Sequence, residues 1–334
     1  MGSLFYCTSL AIKDKDNQVY HGRTMEFSTE AIPSFVAYFP VGSSFKHFTP
    51  KKEIGLSYEA KYALLGVALP MPGNGIGLDY ELCEGVNSGG LSFSLNMKSD
   101  CNLPPLQDKD AAIGLPFDAF GHWALANFST IEEIKTGVKQ VVVWSRALEQ
   151  VGGIESPFHF AFYDTTGACL VVEASGGELH LYDNPTGVMT NGPEFPWHLT
   201  NLNNYTHLTN IDKSSGVLGN IAIKQPDTGI ATATLPSSDT SVDRFVRAVF
   251  YSTYVEKVSG AAQAIIELSH IMNKFDRPKN MTVSGYGEGG ENNTGDLISE
   301  FTVWTSLTDL KGGVFSVRGY HSLNYTTYTL DQFK

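Results

Sequence analysis

Blocks of alternating apolar residues, interrupted twice by helical segments, limit what this chain can fold into. Period-2 runs occupy Leu4–Ile12, Gln18–Met25, Ser34–Val41, Tyr62–Leu69 and Leu91–Met97, divided by turns rich in Gly, Asn, Asp and Pro. Within Pro116–Gln140 the period changes, and Phe117, Phe120, Trp123, Ala124, Phe128 and Ile131 recur at helical spacing. Thr130, followed by Glu132 and Glu133, marks a second helix start inside that stretch. Strand patterns return at Phe158–Tyr163, Leu170–Glu173, Glu178–Tyr182 and Gly187–Thr190. Val242–Val258 and Ala261–Asn273 read as helices, and Phe301–Leu307 and Val314–Tyr320 as closing strands. Strands and helices that come in groups argue against a doubly wound parallel sheet. Two stacked antiparallel sheets, each covered by a helix pair, satisfy the order. No composition break or internal repeat divides the chain, so one α+β domain is expected.

The 334 residues carry 23 Lys and Arg against 35 Asp and Glu, a net charge of −12. No basic run offsets that balance, which disfavours nucleic acid as a partner. No apolar run approaches the roughly 20 residues of a membrane span. Cys7, Cys83, Cys101 and Cys169 lack CxxC spacing, so neither a zinc site nor a redox pair is implied, and they are too few for a disulfide scaffold. Two long stretches, Asp100–Leu115 and Pro193–Asp239, read as functional or assembly loops. The glycines of Ser284–Asp296 and of Gly73–Gly77 fit neither phosphate-loop pattern, and both segments read as surface loops.

Familiar catalytic signatures are missing. The chain has no HExxH, GxSxG or EF-hand loop, and Ser43–Lys46 matches SxxK without its companion motifs. Its nine His are scattered, with no ligand spacing to one another or to Cys. No metal or cofactor is called for. Cys7 offers another route. As a first residue it would hold both a strong nucleophile and, in its α-amine titrating near about 8, its own general base. Taken alone, inside a longer chain, it reads as a buried structural cysteine in an edge strand.

Cys7-Thr8-Ser9-Leu10 and Gly22-Arg23-Thr24-Met25-Glu26-Phe27 resemble the opening of the choloylglycine hydrolase family. These are the bile salt hydrolases and penicillin V acylases among the N-terminal nucleophile (Ntn) hydrolases. The resemblance continues through Glu84–Leu91, His159–Asp164, Gly187–Pro193, Trp197–Leu202, Asp243–Arg247 and Phe301–Thr305. It spans residue 7 to about residue 320 in the family's order.

The resemblance implies a four-layer αββα sandwich over 7–334 and a leader, residues 1–6, removed by self-cleavage. It makes Cys7 the nucleophile and sets Arg23 beside the thiol. Glu26 stands where the family has Asp, the acid that holds the nucleophile's amine. Asn191 would give a side-chain N–H to the oxyanion hole, with Arg244 completing the cluster. Taken singly, Arg23 and Arg244 read as surface ion pairs, Asn191 as a turn residue, and Glu26 as a solvent-facing partner of Lys13 or Lys15. The family's substrate-binding Asn or Tyr falls on Met97, or on Asn96 with a one-residue slip.

The implied activity is hydrolysis of a linear amide in an N-acyl substrate, of the conjugated bile salt or penicillin V type, through a thioester. Alternatives on the same fold are an acyl-homoserine-lactone acylase, an acyltransferase, or a non-catalytic ligand binder that keeps its leader. The stretch Asp212–Asp239, with Val217, Leu218, Ile221 and Ile223, resembles an assembly loop and implies a homotetramer. The chain as written reads as cytoplasmic, and as periplasmic or secreted if a signal peptide once preceded it.

Overall fold

The computed structural model describes residues 5–28, 34–70, 80–148, 153–284 and 298–333. The glycine-rich stretches at 73–77 and 284–296 fall outside these, Ser284 apart, as do residues 1–4.

Two antiparallel sheets form the centre. The strands of the first are β1 (Phe5–Lys13) and β2 (Val19–Phe27). Those of the second begin with β3 (Phe35–Phe39), β4 (Leu64–Pro70), β5 (Tyr80–Asn87) and β6 (Ser92–Met97). It is completed by β7 (Phe158–Tyr163), β8 (Cys169–Ser175) and β9 (Glu178–Asp183). The chain then returns to the first sheet with β10 (Val188–Met189), β11 (Phe301–Asp309), β12 (Val314–Gly319) and β13 (Thr326–Thr329). The six-stranded sheet has the order β10-β1-β2-β11-β12-β13, and the seven-stranded sheet β9-β8-β7-β6-β5-β4-β3.

Helices α1 (Phe120–Asn127) and α2 (Ile131–Gly137) lie on the seven-stranded sheet. Helix α4 (Ser241–Tyr254) lies against β1, and α5 (Ala261–Met272) against β2 and β11. The four layers are therefore αββα. One apolar core, rich in Phe93, Phe117, Phe120, Phe160 and Phe162, fills the space between the sheets and under α1 and α2. A second joins α4 and α5 to the six-stranded sheet and reaches Ala161, Tyr163 and Val171 of the seven-stranded sheet.

Strand β2 is buried along its whole length because both its faces are covered. Gly22 marks the closest approach, since a Cβ there would lie 2.9 Å from Met272 Cγ. The expected strand Gln18–Met25 runs on to Phe27. A charged residue ends the apolar alternation in the sequence, yet Glu26 is buried in the strand.

The helical stretch Pro116–Gln140 divides at Phe128-Ser129, just before the second helix start expected at Thr130. There Thr130 caps α2, its Oγ1 accepting from Glu133 N at 3.3 Å while Glu133 Oε2 accepts from Thr130 N at 3.2 Å. Pro193–Asp239 is more ordered than a loop. It contains α3 (Phe195–Asn201) and a hairpin, Ser215–Leu218 with Ile221–Lys224. A second hairpin, Ser44–Phe48 with Ile54–Glu59, carried no clear alternation in the sequence.

Candidate active site

Strands β1 and β2 pair antiparallel with Cys7 opposite Met25. Residues two apart on a strand share a face. Cys7, Arg23 and Met25 therefore look toward the seven-stranded sheet, while Gly22 and Glu26 look toward α4 and α5. Cys7 is fully buried, with Sγ 3.6 Å from Met25 Sδ. Arg23 Nη2 approaches Cys7 Sγ to 3.3 Å and also donates to Leu95 O. Its Nη1 donates to Cys83 O at 3.0 Å, and the guanidinium lies 4.9 Å over the Trp304 ring. Burial pushes the Cys7 thiol up, Arg23 pulls it down, Glu26 pushes it up and Arg244 pulls it down; the balance is a raised pKa. A neutral, buried thiol needs a base in reach before it attacks anything.

Glu26 is 1% exposed, which removes the reading of a solvent-facing partner for Lys13 or Lys15. A bulge aims it. Between Met25 and Glu26 the pairing with β11 slips, so that Met25 faces Trp304 and Glu26 faces Thr302. Oε1 accepts from Thr302 Oγ1 at 2.8 Å, and Oε2 has no hydrogen-bond partner among the described residues. Burial raises the Glu26 pKa, against the pull of Arg244 and Arg277.

Arg244 and Asn191 meet at the Cys7 backbone. Thr240 caps α4 by accepting from Asp243 N at 3.3 Å, which fixes the first turn that carries Arg244. Arg244 Nη1 donates to Cys7 O at 2.6 Å and to Thr8 Oγ1 at 2.8 Å, and Nη2 to Asn191 Oδ1 at 2.7 Å. That same Oδ1 accepts from Cys7 N at 3.1 Å. Asn191 Nδ2 donates to Met97 O at 2.9 Å. Two donors on one side and a carbonyl on the other fix the orientation of the amide. Burial lowers the Arg244 pKa to about 10, with Glu26 opposing.

Asn96 and Met97, the expected substrate-binding positions, both make contacts within this cluster. Asn96 Nδ2 donates to Thr190 O at 2.7 Å and Met189 O at 3.4 Å. Met97 contributes its carbonyl, an acceptor, to Asn191. Both brace the segment that holds Asn191. His159 does the same from β7, with Nε2 at 3.1 Å from Thr190 O and Nδ1 at 2.8 Å from Glu173 Oε1.

A buried polar cluster behind Arg23 was not foreseen. Glu84 is 0% exposed, and its Oε2 accepts from Ser94 Oγ and lies 3.4 Å from Arg23 Nη1. Its Oε1 accepts from Ser306 Oγ at 3.3 Å and lies 3.5 Å from His21 Nδ1. His21 Nε2 meets Ser9 Oγ at 3.1 Å and Ser94 Oγ at 3.0 Å, and Ser9 Oγ lies 2.6 Å from Tyr163 OH. Burial lowers His21 to about 3 and raises Glu84 to about 7, Arg23 opposing the rise. The one available signal was His21 and Arg23 on the same face of a strand otherwise fit for a core. Among the described residues, no group of three or more His, Cys, Asp or Glu is placed to hold a metal.

Solved structures show the fold of this molecule. The chain matches a conjugated bile acid hydrolase variant from Clostridium perfringens with a TM-score of 0.80 at 24% identity, over 98% of this chain and 93% of that one. It matches a penicillin V acylase from Agrobacterium tumefaciens with a TM-score of 0.72 at 21% identity, over 98% and 87%. Its fold is that of the Ntn hydrolases. Residues 7–334 match the family described as linear amide C-N hydrolases, choloylglycine hydrolase family, and the chain belongs to that family. It is a hydrolase of linear amide C–N bonds. The Bile salt hydrolase/transferase of Clostridium perfringens (strain 13 / Type A) is 27% identical to it over 316 residues, 95% of this chain and 90% of that protein.

Proposed function

We propose that Cys7, freed as the first residue, is the nucleophile of an amidohydrolase for N-acyl substrates with an apolar acyl group. The observation that carries the reading is Arg23 Nη2 at 3.3 Å from Cys7 Sγ, with Asn191 and Arg244 on the backbone of the same residue. The family match that begins at residue 7 supports it. In the first event the Cys7 thiol attacks the Tyr6 carbonyl. The acyl group shifts from N to S, and water cleaves the resulting thioester to release the leader and the Cys7 amine. In turnover the amine takes the thiol proton, the thiolate attacks the substrate carbonyl, and the amine returns the proton to the leaving nitrogen. Water then hydrolyses the acyl thioester.

Glu26, on the helix-side face next to Cys7, is suited to hold the ammonium form of that amine through Oε2. Asn191 supplies an N–H for the oxyanion once Cys7 N ceases to be a peptide nitrogen and the local bonds rearrange. The relatives' names support conjugated bile salts and penicillin V as the substrate class. The word transferase in one of those names supports a second reading, in which a free amine replaces water in the last step.

The exposed hairpin supports a homotetramer. Val217, Leu218, Ile221 and Ile223 are 74%, 71%, 67% and 50% exposed, an apolar surface suited to a neighbouring subunit. Four free, buried cysteines suit a reducing, cytoplasmic setting. The test is a panel of glycocholate, taurocholate and penicillin V with purified enzyme and Cys7→Ser. Release of glycine, taurine or 6-aminopenicillanic acid by the enzyme, at least about 10³-fold faster than by Cys7→Ser, is expected, because an alcohol is hardly ionised at neutral pH. Equal rates in the two proteins would refute the assignment.

A further inference from the structure

Arg23 stands between two groups that each carry a negative charge when deprotonated. Its Nη2 faces Cys7 Sγ at 3.3 Å, and its Nη1 faces Glu84 Oε2 at 3.4 Å. Arg23, Cys7 and Glu84 are each 0% exposed, so water screens none of the three. In such a setting one cation balances one anion well, and a second anion on the same cation is opposed. We propose that Glu84 is a positioning residue that shares Arg23 with Cys7, so that an ionised Glu84 holds the thiol neutral and an uncharged Glu84 releases the guanidinium to the thiolate. This rests on the reading of Cys7 as nucleophile.

The freed Cys7 amine takes the thiol proton in parent and Glu84 variants alike, and the other neighbours leave the exchange to these groups. From β2, His21 titrates near 3 and stays neutral in any working buffer. From β5, burial pushes Cys83 up to about 12, and from β7 it pushes Tyr163 well above its ordinary range, so both keep their protons. Ser94 and Ser306 bring hydroxyls and no charge. Glu26 and Arg244 act on Cys7 from the α4 side with opposite signs. Glu84 itself titrates at about 7, within the range where amide turnover would be measured.

Two of the Arg23 anchors, Cys83 O and Leu95 O, do not depend on Glu84, so the arginine keeps its place when the carboxylate loses its charge. A purely structural Glu84 would lower rates without moving a titration. The experiment follows alkylation of Cys7 by iodoacetamide against pH in the mature enzyme, read by mass spectrometry of the Cys7 peptide. Glu84→Gln keeps the volume and one acceptor oxygen, its NH2 being able to donate to the other serine hydroxyl, but it cannot ionise. Its Cys7 profile is expected about one pH unit lower, with about tenfold faster alkylation on the acidic side. Glu84→Asp should stay within about threefold of the parent. Ser94→Ala removes a hydrogen bond that favours ionised Glu84, and should move the profile in the same direction by less.

Profiles that stay put or rise in both Glu84→Gln and Ser94→Ala, with Cys7 still labelled, would overturn the sharing of Arg23 and leave the nucleophile intact. If Glu84→Gln does not fold, Ser94→Ala decides alone by the same criterion. Parent enzyme that turns over substrate while Cys7 resists labelling at every pH would overturn the nucleophile, and this inference with it.

Discussion

Arg244 donates to the backbone carbonyl oxygen of Cys7 at 2.6 Å, which ties the first turn of α4 to the proposed nucleophile. Asn191 Oδ1 closes the figure, accepting from Arg244 Nη2 at 2.7 Å and from Cys7 N at 3.1 Å. Three residues far apart in sequence thus hold one peptide unit, and none moves without the others.

Replacing Arg244 tests that closure. Lysine keeps the charge but gives a single point of donation instead of a fork. Arg244→Lys is expected to lose about 10- to 100-fold in kcat/KM, and Arg244→Met on the order of 10³-fold. Arg244→Met also removes the buried cation that donates to the Cys7 carbonyl and to Asn191 Oδ1 and attracts Glu26, at a cost of about 3–5 kcal/mol. Steady-state kinetics beside urea unfolding would check both figures. A wild-type kcat/KM for Arg244→Met would detach α4 from the chemistry.

Glu26 is expected to set the acidic limb of the pH–rate profile. A carboxylate beside an amine favours its protonated form and raises its pKa, and the protonated amine is the inactive base. Glu26→Gln should therefore move the acidic limb of kcat/KM to lower pH while lowering the plateau, because a neutral amide no longer fixes the amine. Glu26→Asp should keep the wild-type limb. An unchanged profile in Glu26→Gln would separate Glu26 from the amine.

Much of this was legible in the chain. Alternation and its interruption gave the layers, because a half-buried strand and an amphipathic helix each leave their period in the residue order. The ordered motifs around Cys7, Arg23, Glu26, Asn191 and Arg244 gave residues that the fold brings into one cluster. The Glu84–His21 cluster was not legible, since nothing along a sequence tells which polar residues of two facing strands will meet across a sheet interface. How Asn96 and Met97 divide their contacts was not legible for a related reason. Which way a strand faces depends on register, and a one-residue slip exchanges the two faces. The hairpin inside Pro193–Asp239 has no core beneath it, so its burial left no mark on the pattern.

Buried neutral histidines should make the protein acid-labile in a traceable way. Burial holds His122 at about 3, against an ordinary 6.5, and its Nδ1 accepts from Leu82 N at 3.1 Å. Its folded-state pKa is depressed, so the stability it supports is full above about 6.5 and lost as pH falls toward 3. His122→Asn keeps an acceptor for Leu82 N but does not titrate. Its deficit against wild type should shrink by about 1.4 kcal/mol per unit between about pH 6 and pH 4. Urea midpoints at three pH values measure this, and a constant deficit would contradict it.

The hairpin predicts the state of assembly. Val217→Asp with Ile221→Lys places charge on strands that are 74% and 67% exposed at those positions in the single chain. In the isolated subunit such changes cost little, whereas across a subunit contact they leave unpaired charge in an apolar surface. Light scattering at micromolar concentration should give four subunits for wild type and fewer for the double variant, with Tm of the smaller species lowered by loss of the contact. A monomeric wild type would exclude the proposed role of the hairpin.

The most direct test of Cys7 as a self-freed N-terminal nucleophile is the intact mass of the purified, active protein, with N-terminal sequencing of the same sample. A chain that has lost Met1–Tyr6 and begins at Cys7 is expected, together with a Cys7→Ala protein that keeps all six residues and turns over no substrate. Full amide-hydrolase activity in a sample whose chains still carry Tyr6 ahead of Cys7 would contradict it.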